Sequence, residues 1–297
     1  MRKIMVLGAS GVLGSRLVAD LENCIGTYYS DYDSAKLNYF ALDASNFEEL
    51  KKLIINKQPD VIINCIGLTN VDECERLPEK NWLLNNNFPV KAASYSGLNN
   101  IKFVQISTDH FEVNNSKKIS ESSNVASPNQ YSFAKLATER MILEINPRAI
   151  IIRTNFFQFS FRRSKTFVDQ MLTAVLKKQL VESFGDVYFT PVSISTLINC
   201  ISRLIEIDYA GIINISSDEA ISKFHFHELI LKSYRLDRGS HKSISLSDLK
   251  LLARRSSSMV LDNYKLKSLF GISDLNIYDM IAEEIDYQKQ GVQSVKK

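Results

Sequence analysis

The stretch KIMVLGASGVLG, residues 3–14, decides the fold of this chain. A short apolar run, Lys3–Leu7, ends at a glycine, and apolar residues at helical spacing continue from Val12 to Leu21. Between strand and helix, three glycines form a G-x-x-G-x-x-G arrangement. A strand, a glycine-rich turn and a helix in this order predict the first βα unit of a parallel sheet.

Each glycine of this loop has its own physical role. Gly8 allows a tight turn, Gly11 lets a phosphate group approach the backbone, and Gly14 lets the helix pack closely against the strand. The N-terminus of the helix, with Ser10 in the loop before it, then turns its free N–H groups towards the phosphates. The loop predicts a dinucleotide site, and a glycine-containing turn without a ligand is the alternative.

The identity of the dinucleotide depends on the end of the second strand. A carboxylate there typically holds the adenosine ribose of NAD. In this chain the region reads GTYYS, Gly26–Ser30, and a carboxylate follows only at Asp31. Because no carboxylate repels a 2′-phosphate at the expected position, the pattern favours NADP(H) over NAD(H). The carboxylate of Asp31, which follows directly after this region, leaves NAD(H) as an alternative.

Strand-like and helix-like segments continue to alternate through the first half of the chain. The expected strands are Ile25–Tyr29, Asp60–Cys65, Ile101–Ile106 and Ala149–Arg153, and the expected helices are Phe47–Ile55, Glu79–Tyr95 and Tyr131–Leu143. Units of about 30 residues in this alternation predict a doubly wound parallel sheet with helices on both faces, an α/β fold of Rossmann type.

Beyond residue 153 the alternation is less regular. Helices are expected at Phe167–Lys178, Ser195–Glu206, Phe224–Tyr234, Leu246–Ala253 and Asp274–Tyr287, and a strand at Gly211–Ile215. We therefore predict a dinucleotide-binding domain over residues 1–155, which also receives roughly residues 186–216. Residues 156–297 then form most of a smaller, partly discontinuous α/β substrate lobe.

The composition excludes several classes of protein. Hydrophobic residues make up 45% of the 297 residues and charged residues 23%, which is typical of a folded globular chain. The net charge of +3 is too small to predict a nucleic-acid or membrane surface. Four scattered cysteines, and an N-terminal apolar run that breaks at Gly8, lead us to expect a cytoplasmic protein without disulfides or a secretory signal.

Tyr131 and Lys135 stand four residues apart in a predicted helix, so both lie on one helical face. An ammonium group beside a phenol favours the phenolate and is expected to lower the pKa of the tyrosine from about 10. Such a tyrosine can donate a proton to a developing alkoxide or accept one from an alcohol. Phe133, Ala137 and Met141 form a separate apolar stripe, which we expect to pack the helix against the sheet.

The predicted strand Ile101–Ile106 is followed by Ser107, Thr108 and Asp109, at the sheet edge where open α/β proteins bind ligands. A hydroxyl at this point can hydrogen-bond to the substrate oxygen that the tyrosine protonates. The alternative is that Thr108 and Asp109 only cap a turn. A glycine loop, a strand-end threonine and Tyr-x-x-x-Lys arise together by chance far less often than any one of them.

With these motifs in place, the sequence resembles the extended short-chain dehydrogenase/reductase family, and within it the dTDP-4-dehydrorhamnose reductase group. The resemblance covers nearly the whole chain. The matching segments are Asp60–Asn64 with Gly67–Glu75, Asn85–Pro89, Ser107–Asp109, Pro128–Lys135 with Glu139, and Arg254–Asn263. The last segment resembles the substrate lobe that separates this group from other extended relatives.

The resemblance implies a role for each matching residue. Tyr131 is the acid/base, Lys135 its pKa partner and ribose ligand, and Thr108 the oxyanion partner. The implied cofactor contacts, besides Tyr131 and Lys135, are Gly8, Ser10, Gly11, Val12, Leu13 and Gly14 in the loop, Asp43 and Ala44 at the adenine, and Ile66, Gly67 and Leu68 beside the nicotinamide ribose. The implied substrate contacts are Asp109, Arg254 and Arg255.

Three positions depart from the family pattern around the sugar. His110-Phe111 stands where Tyr-Val-Phe is usual, Asn155-Phe156-Phe157 where a tryptophan is usual, and Thr190-Pro191 in place of Pro-Thr. These departures put the identity of the sugar in question, but not the hydride chemistry.

The predicted function is reduction of a keto group on a nucleotide-linked sugar, namely a nucleoside-diphosphate 4-keto-6-deoxyhexose reduced at C4. Its diphosphate needs positive charge, which Arg162, Arg163, Arg254 or Arg255 could supply. One alternative is a sugar-nucleotide epimerase that retains its cofactor. The other is a non-catalytic regulatory subunit, because the resemblance extends to the regulatory subunit of methionine adenosyltransferase.

No metal site is predicted, and a homodimer is left open. His225 and His227 flank a phenylalanine, but no acidic or cysteine ligand pattern accompanies them. Cys65 ends a buried strand and is expected to act as a small hydrophobic residue and not as a nucleophile.

Overall fold

A computed structural model describes residues 1–29, 38–113, 118–159, 166–236 and 241–294. Four residues named above, Ser30, Asp31, Arg162 and Arg163, lie outside the described residues. No helix in the described ranges is both long and apolar enough to cross a membrane.

The described strands and helices alternate along the first half of the chain. The strands are β1 Ile4–Leu7, β2 Cys24–Tyr28, β3 Tyr39–Ala41, β4 Val61–Asn64, β5 Lys102–Ile106, β6 Glu112–Val113, β7 Val125–Ala126, β8 Ile150–Thr154, β9 Phe156–Phe157, β10 Val181–Phe184, β11 Tyr188–Phe189, β12 Val192–Ser193, β13 Gly211–Ile215, β14 Ile221–Ser222, β15 His241–Ile244 and β16 Ser258–Met259. The α-helices are α1 Val12–Asp20, α2 Phe47–Lys57, α3 Val71–Arg76, α4 Pro78–Trp82, α5 Phe88–Leu98, α6 Gln130–Ile145, α7 Phe167–Leu176, α8 Ile194–Glu206, α9 Lys223–Ser233, α10 Tyr264–Phe270 and α11 Ile277–Ser294.

Seven of the strands form one sheet in the order β13-β8-β5-β4-β1-β2-β3, and every neighbouring pair is parallel. The chain steps outward from β1 in both directions, which is the doubly wound topology that the βα alternation predicts. The carboxyl ends of the strands beside the reversal point, β1 and β4, therefore lie at one edge of the sheet.

Apolar layers cover the sheet on both faces. Within β4, Ile63 packs into one core with α1 and α8, whereas Ile62 packs into a second core with α2 and α5. Successive residues of a strand point to opposite faces, and here both faces are covered, so the strand is apolar throughout.

The predicted helix Glu79–Tyr95 is a single helical run with a change of geometry in its middle. Between α4 and α5, residues Leu83–Asn87 form a π-helical turn that buries Asn85 and Asn86. Asn85 Nδ2 donates to the Leu68 carbonyl at 2.8 Å, and Asn86 Nδ2 donates to Thr138 Oγ1 at 3.0 Å. The wider turn directs the amide of Asn85 to the loop after β4 and the amide of Asn86 to α6.

The apolar stripe predicted on α6 is wrong. Phe133 is 54% exposed and Met141 is 40% exposed, while Lys135 and Glu139 face the sheet. Both polar groups have partners on the sheet: Lys135 donates to the Ile106 carbonyl, and Glu139 pairs with Arg153. Because they are paired, these side chains can be buried. Phe133 stacks instead on Trp82, with ring centroids 5.9 Å apart.

The later segments form small two- and three-stranded sheets beside the central one: β10-β15, β14-β11-β16 and β9-β12. Strand β13 leaves them and pairs with β8 in the central sheet. The predicted helix Leu246–Ala253 is wrong, since only Leu246–Asp248 forms a short 3₁₀ turn. Downstream, the Ala253 N–H donates to Asp72 Oδ1 at 3.0 Å, which holds this segment against α3. The division at residue 155 stays a prediction.

Candidate active site

Two glycines at the junction of β1 and α1 stand where another residue would not fit, one for its backbone conformation and one for lack of space. Gly8 has φ +82°, in the left-handed region. A Cβ atom on Gly14 would lie 2.4 Å from the Gly8 carbonyl oxygen and 2.8 Å from Ala9 Cα. The Gly8 N–H donates to Thr27 Oγ1 at 3.1 Å, which ties the loop to β2. No side chain caps α1, so its first N–H groups face the space above the loop.

Two adjoining cavities open at this edge of the sheet. The larger has a volume of about 850 Å³ and the smaller about 500 Å³. Both are lined by Gly11, Cys65, Ile66 and Gly67, so they share a floor. A helix N-terminus above two connected cavities fits a dinucleotide, with one nucleotide in each.

Most of the predicted site residues line these cavities. The smaller cavity contains Gly8, Ser10, Gly11, Asp43, Ala44, Ile66 and Gly67. The larger contains Gly11, Val12, Leu13, Gly14, Ile66, Gly67, Thr108, Asp109, Tyr131 and Lys135. The structure therefore brings the loop and the Thr–Tyr–Lys set to one continuous space.

Three predicted residues do not line either cavity. The carbonyl of Leu68 accepts the hydrogen bond from Asn85, and Thr69 lines the larger cavity in its place. Arg254 donates to Glu112 at 2.8 Å on the surface, and Arg255 pairs with Asp72 at 3.1 Å. The two arginines are thus ion-paired beside the site and do not extend into it.

Tyr131 is buried at the floor of the larger cavity, and Thr108 hydrogen-bonds to its hydroxyl. Burial raises the pKa of Tyr131 to about 12, and the hydrogen bond from Thr108 offsets only part of this rise. The predicted lowering of this pKa by Lys135 is wrong for the protein as described. The phenol keeps its proton at neutral pH.

Lys135 lies one helical turn after Tyr131 and is 5% exposed. Its ammonium donates to the Ile106 carbonyl oxygen at 3.1 Å, at the end of β5. Burial lowers the pKa of Lys135 to about 8, while Glu139 partly counteracts this. At pH 7 the side chain carries a positive charge inside the cavity.

The buried face of α6 is fixed by an ion pair that the sequence reasoning missed. Arg153 Nη2 lies 2.6 Å from Glu139 Oε2, and Ser107 Oγ donates to Glu139 Oε1 at 2.5 Å. These contacts join α6 to β5 and β8 directly below Lys135. A lone arginine in the apolar strand AIIIRT was the signal in the sequence.

Asn85 was also missed as a site residue. A Cβ atom on Gly67 would lie 2.6 Å from Asn85 Oδ1 and 3.4 Å from Lys135 Nζ. The glycine therefore leaves room for an amide oxygen and an ammonium beside the cavity floor. The available signal was a run of three asparagines, Asn85–Asn87, in the middle of the predicted helix.

One end of the larger cavity contains polar groups from the loops after β5 and β8 and from α9. Asp109 Oδ2 accepts a hydrogen bond from Asn155 Nδ2 at 2.9 Å. The rings of His110 and Tyr131 meet edge to face, with centroids 5.5 Å apart, and burial lowers the pKa of His110. Lys223, at the start of α9, lines the same space and was not predicted.

The histidines and cysteines have other partners. His225 Nδ1 lies 2.9 Å from Ser222 Oγ, and His227 Nδ1 lies 2.6 Å from Ser183 Oγ. In the ranges that the structure describes, no three His, Cys, Asp or Glu side chains are grouped to hold a metal ion. Burial raises the pKa of Cys65 to about 12, so it remains a thiol at neutral pH.

The fold and the site define a dinucleotide-binding protein of the extended short-chain dehydrogenase/reductase class. The chain belongs to the RmlD substrate binding domain family, whose model matches residues 1–288. This confirms the resemblance drawn from the motifs.

Individual relatives agree with this assignment over nearly their whole length. The probable low-salt glycan biosynthesis reductase Agl14 of Haloferax volcanii is 26% identical over 286 residues, 93% of this chain and 95% of that one. A dTDP-4-dehydrorhamnose reductase of Aggregatibacter actinomycetemcomitans is 24% identical, covering 92% and 94% of the two chains. The crystal structure of the Bacillus anthracis dTDP-4-dehydrorhamnose reductase in complex with NADP is 21% identical, covers 96% of this chain and 99% of its own, and has a TM-score of 0.84, which indicates the same fold.

Proposed function

We propose that this protein is an NADPH-dependent reductase of a nucleotide-linked keto sugar, and that it reduces a nucleoside-diphosphate 4-keto-6-deoxyhexose at C4. One observation carries the proposal: Thr108, Tyr131 and Lys135 line one cavity that continues into the glycine loop of α1. The reductase names of the relatives and the family match over residues 1–288 support it.

Tyr131 and Thr108 act on the ketone oxygen in this proposal. Their hydroxyls line the same cavity and can both donate to a carbonyl oxygen placed there, and NADPH, when bound, would supply the hydride. Tyr131 then gives its proton to the oxygen as negative charge develops there. With its pKa raised to about 12, the phenol carries at neutral pH the proton that reduction requires.

Lys135 supports the same step through its charge. Its ammonium, held by the Ile106 carbonyl at the cavity wall, adds a positive charge to the cavity in which negative charge develops on the ketone oxygen. It is also placed to donate to a ribose hydroxyl of the cofactor, since it lines the cavity beside Gly67.

The cofactor that we propose is NADPH in preference to NADH. The end of β2 carries hydroxyls, and the smaller cavity is lined there by Thr27, Tyr28 and Tyr29. Lys80 lines the same cavity with its ammonium 2.9 Å from Glu73, and a lysine at this position can also donate to a 2′-phosphate. Titration by protein fluorescence should give a lower Kd for NADPH than for NADH. Tighter binding of NADH would indicate that Asp31 binds the adenosine ribose and would reverse this proposal.

The function is tested by following NADPH oxidation with a panel of nucleoside-diphosphate 4-keto-6-deoxyhexoses. We expect turnover of at least one member and none of the free sugars, because the remote nucleotide supplies binding energy that positions the ketone. Turnover of a free sugar or an unrelated ketone, with no effect of any nucleoside diphosphate on the melting temperature of the NADPH-loaded protein, would refute it.

The two alternatives predict different behaviour of the purified protein. An epimerase would retain its cofactor and show bound nicotinamide absorbance, whereas a reductase exchanges it at each turnover. A regulatory subunit would bind NADPH without oxidising it. A homodimer and a cytoplasmic location belong to the same proposal, and light scattering and cell fractionation test them.

A further inference from the structure

Lys223 is the first residue of α9 and reaches the larger cavity from the later part of the chain. Its backbone N–H donates to the Val187 carbonyl at 3.0 Å, and its ammonium lies 3.4 Å from the ring centroid of Phe189. It lines the cavity together with Asp109 and Asn155, which come from the loops after β5 and β8. Three polar side chains from separate segments therefore meet at one end of the cavity.

This position is unfavourable for a lysine in the folded protein. A cation in the first turn of a helix opposes the helix dipole, and Lys223 is half-buried, although the contact of its ammonium with the Phe189 ring is attractive. Burial lowers its pKa to about 8. A titratable group that a cavity holds at a cost to stability is a candidate for contact with a ligand.

Asp109 offsets the charge of Lys223 across the cavity. The negative charge of its carboxylate raises the pKa of Lys223, against the larger effect of burial. Glu182, at the rim, adds a second negative charge. Of the described residues that line this cavity, only Lys135 and Lys223 are lysine or arginine, so their charges are balanced. A neutral group with hydroxyls suits such a set better than an anion.

We propose that Lys223 is a specificity-determining residue that, with Asp109 and Asn155, binds the ring hydroxyl beside the ketone, so that the substrate is a 4-keto sugar that retains its C3 hydroxyl. The inference rests on the proposed function. Asp109 directly follows Thr108 and lines the same cavity, and the C3 hydroxyl is the ring hydroxyl next to the C4 ketone that Thr108 is proposed to bind. The hydroxyl donates to the Asp109 carboxylate and accepts from the Lys223 ammonium.

Two substrates and two variants test this contact. The values of kcat/KM are measured for the 4-keto-6-deoxy substrate and for its 3-deoxy analogue, with wild type and Lys223→Met. We expect kcat/KM of the wild type to be about 10- to 100-fold lower for the analogue than for the full substrate, which is the effect of one hydrogen bond to a charged group. The Lys223→Met variant should show a similar decrease in kcat/KM for the full substrate, relative to wild type, and no decrease for the analogue.

Controls separate recognition from folding. Lys232→Met removes an exposed lysine from the same helix and should match wild type on both substrates. Lys223→Met should bind NADPH with wild-type affinity. Asp109→Asn should lose the same discrimination, which gives a second variant if Lys223→Met folds poorly.

Several outcomes would overturn the inference. One is that Lys223→Met lowers kcat/KM equally for both substrates, and another is that it lowers kcat/KM for neither. A third is that it weakens the affinity for a free nucleoside diphosphate by the same factor as it lowers kcat/KM for the sugar nucleotide. The last result would assign Lys223 to the diphosphate. If wild type reduces no member of the sugar-nucleotide panel, the proposed function fails, and this inference with it; wild-type turnover with an unchanged Lys223→Met refutes the inference alone.

Discussion

Tyr131 and Lys135 lie on one face of α6, and burial displaces their pKa values in opposite directions. The pKa of the phenol is raised to about 12, and that of the ammonium is lowered to about 8. Both groups therefore keep their protons at pH 7. An uncharged phenol beside a carbonyl oxygen is a proton donor, which suits reduction of a ketone more than oxidation of an alcohol.

Tyr131→Phe should reduce kcat by about 10²–10⁴-fold, because it removes only the proton that is transferred. Binding of NADPH should be little changed, since the ring remains in place. Steady-state kinetics and a fluorescence titration measure the two effects. Near-normal turnover in this variant would remove Tyr131 from the mechanism.

Lys135→Met should bind NADPH weakly yet be more stable than wild type, by roughly 3 kcal/mol at pH 7. The pKa of Lys135 in the folded protein, about 8, lies below its ordinary value of 10.5. Its destabilising effect is therefore complete below pH 8 and disappears as the pH rises towards 10.5.

Urea denaturation at pH 7 and at pH 10 measures this effect. The exposed Lys91→Met is the matched control and should behave as wild type at both pH values. A stability gain that is the same at pH 7 and pH 10 would show that the charge of Lys135 is not its origin.

At the scale of elements, the sequence predicts those parts of the fold that depend on local patterns. The βα alternation and the glycine loop define the central sheet, and Tyr-x-x-x-Lys defines one helix. Contacts between distant segments leave no such pattern. The buried face of α6 was predicted wrongly, because the lone Arg153 of β8 indicates a buried partner but its position in the sequence does not show that the partner is Glu139. The segment after Asp248 binds Asp72 in place of forming a helix.

Glu139→Leu should destabilise the protein by about 3–5 kcal/mol, because it leaves the 3% exposed Arg153 without its carboxylate. The double variant Glu139→Leu with Arg153→Met should recover much of this loss, since no unpaired charge remains. Urea denaturation gives the values, with the exposed Arg140→Met as control. A loss below about 1 kcal/mol for Glu139→Leu would mean that the pair does not hold α6.

Gly14→Ala should lower both stability and NADPH affinity, because its Cβ atom would overlap the backbone of Gly8 and Ala9. Gly97→Ala is the comparison, since its Cβ atom would meet only the Asn146 side chain, at 3.1 Å. Thermal melts with and without NADPH distinguish the two variants. Full NADPH affinity in Gly14→Ala would separate the loop from the cofactor.

At the scale of the whole molecule, the larger cavity is built from both parts of the chain. The loops after β5 and β8 supply Asp109 and Asn155, while α9 supplies Lys223. Much of the cofactor end could be predicted from sequence because the residues from Gly8 to Gly14 follow one another in one motif. At the sugar end Asp109 was predicted, but Lys223 was not, since it reaches the cavity only after the later segments pack against the central sheet.

The central claim, hydride transfer to C4 of a nucleotide-linked keto sugar, is tested most directly by isotope transfer. NADPH carrying deuterium at nicotinamide C4 is supplied in either stereochemical form, and the nucleotide-sugar product is examined by NMR. We expect one deuterium at sugar C4 from one of the two forms, with one NADPH consumed for each product molecule and almost no product made by Tyr131→Phe. Product without deuterium, or label that is returned to the nicotinamide while the sugar is epimerised, would contradict it.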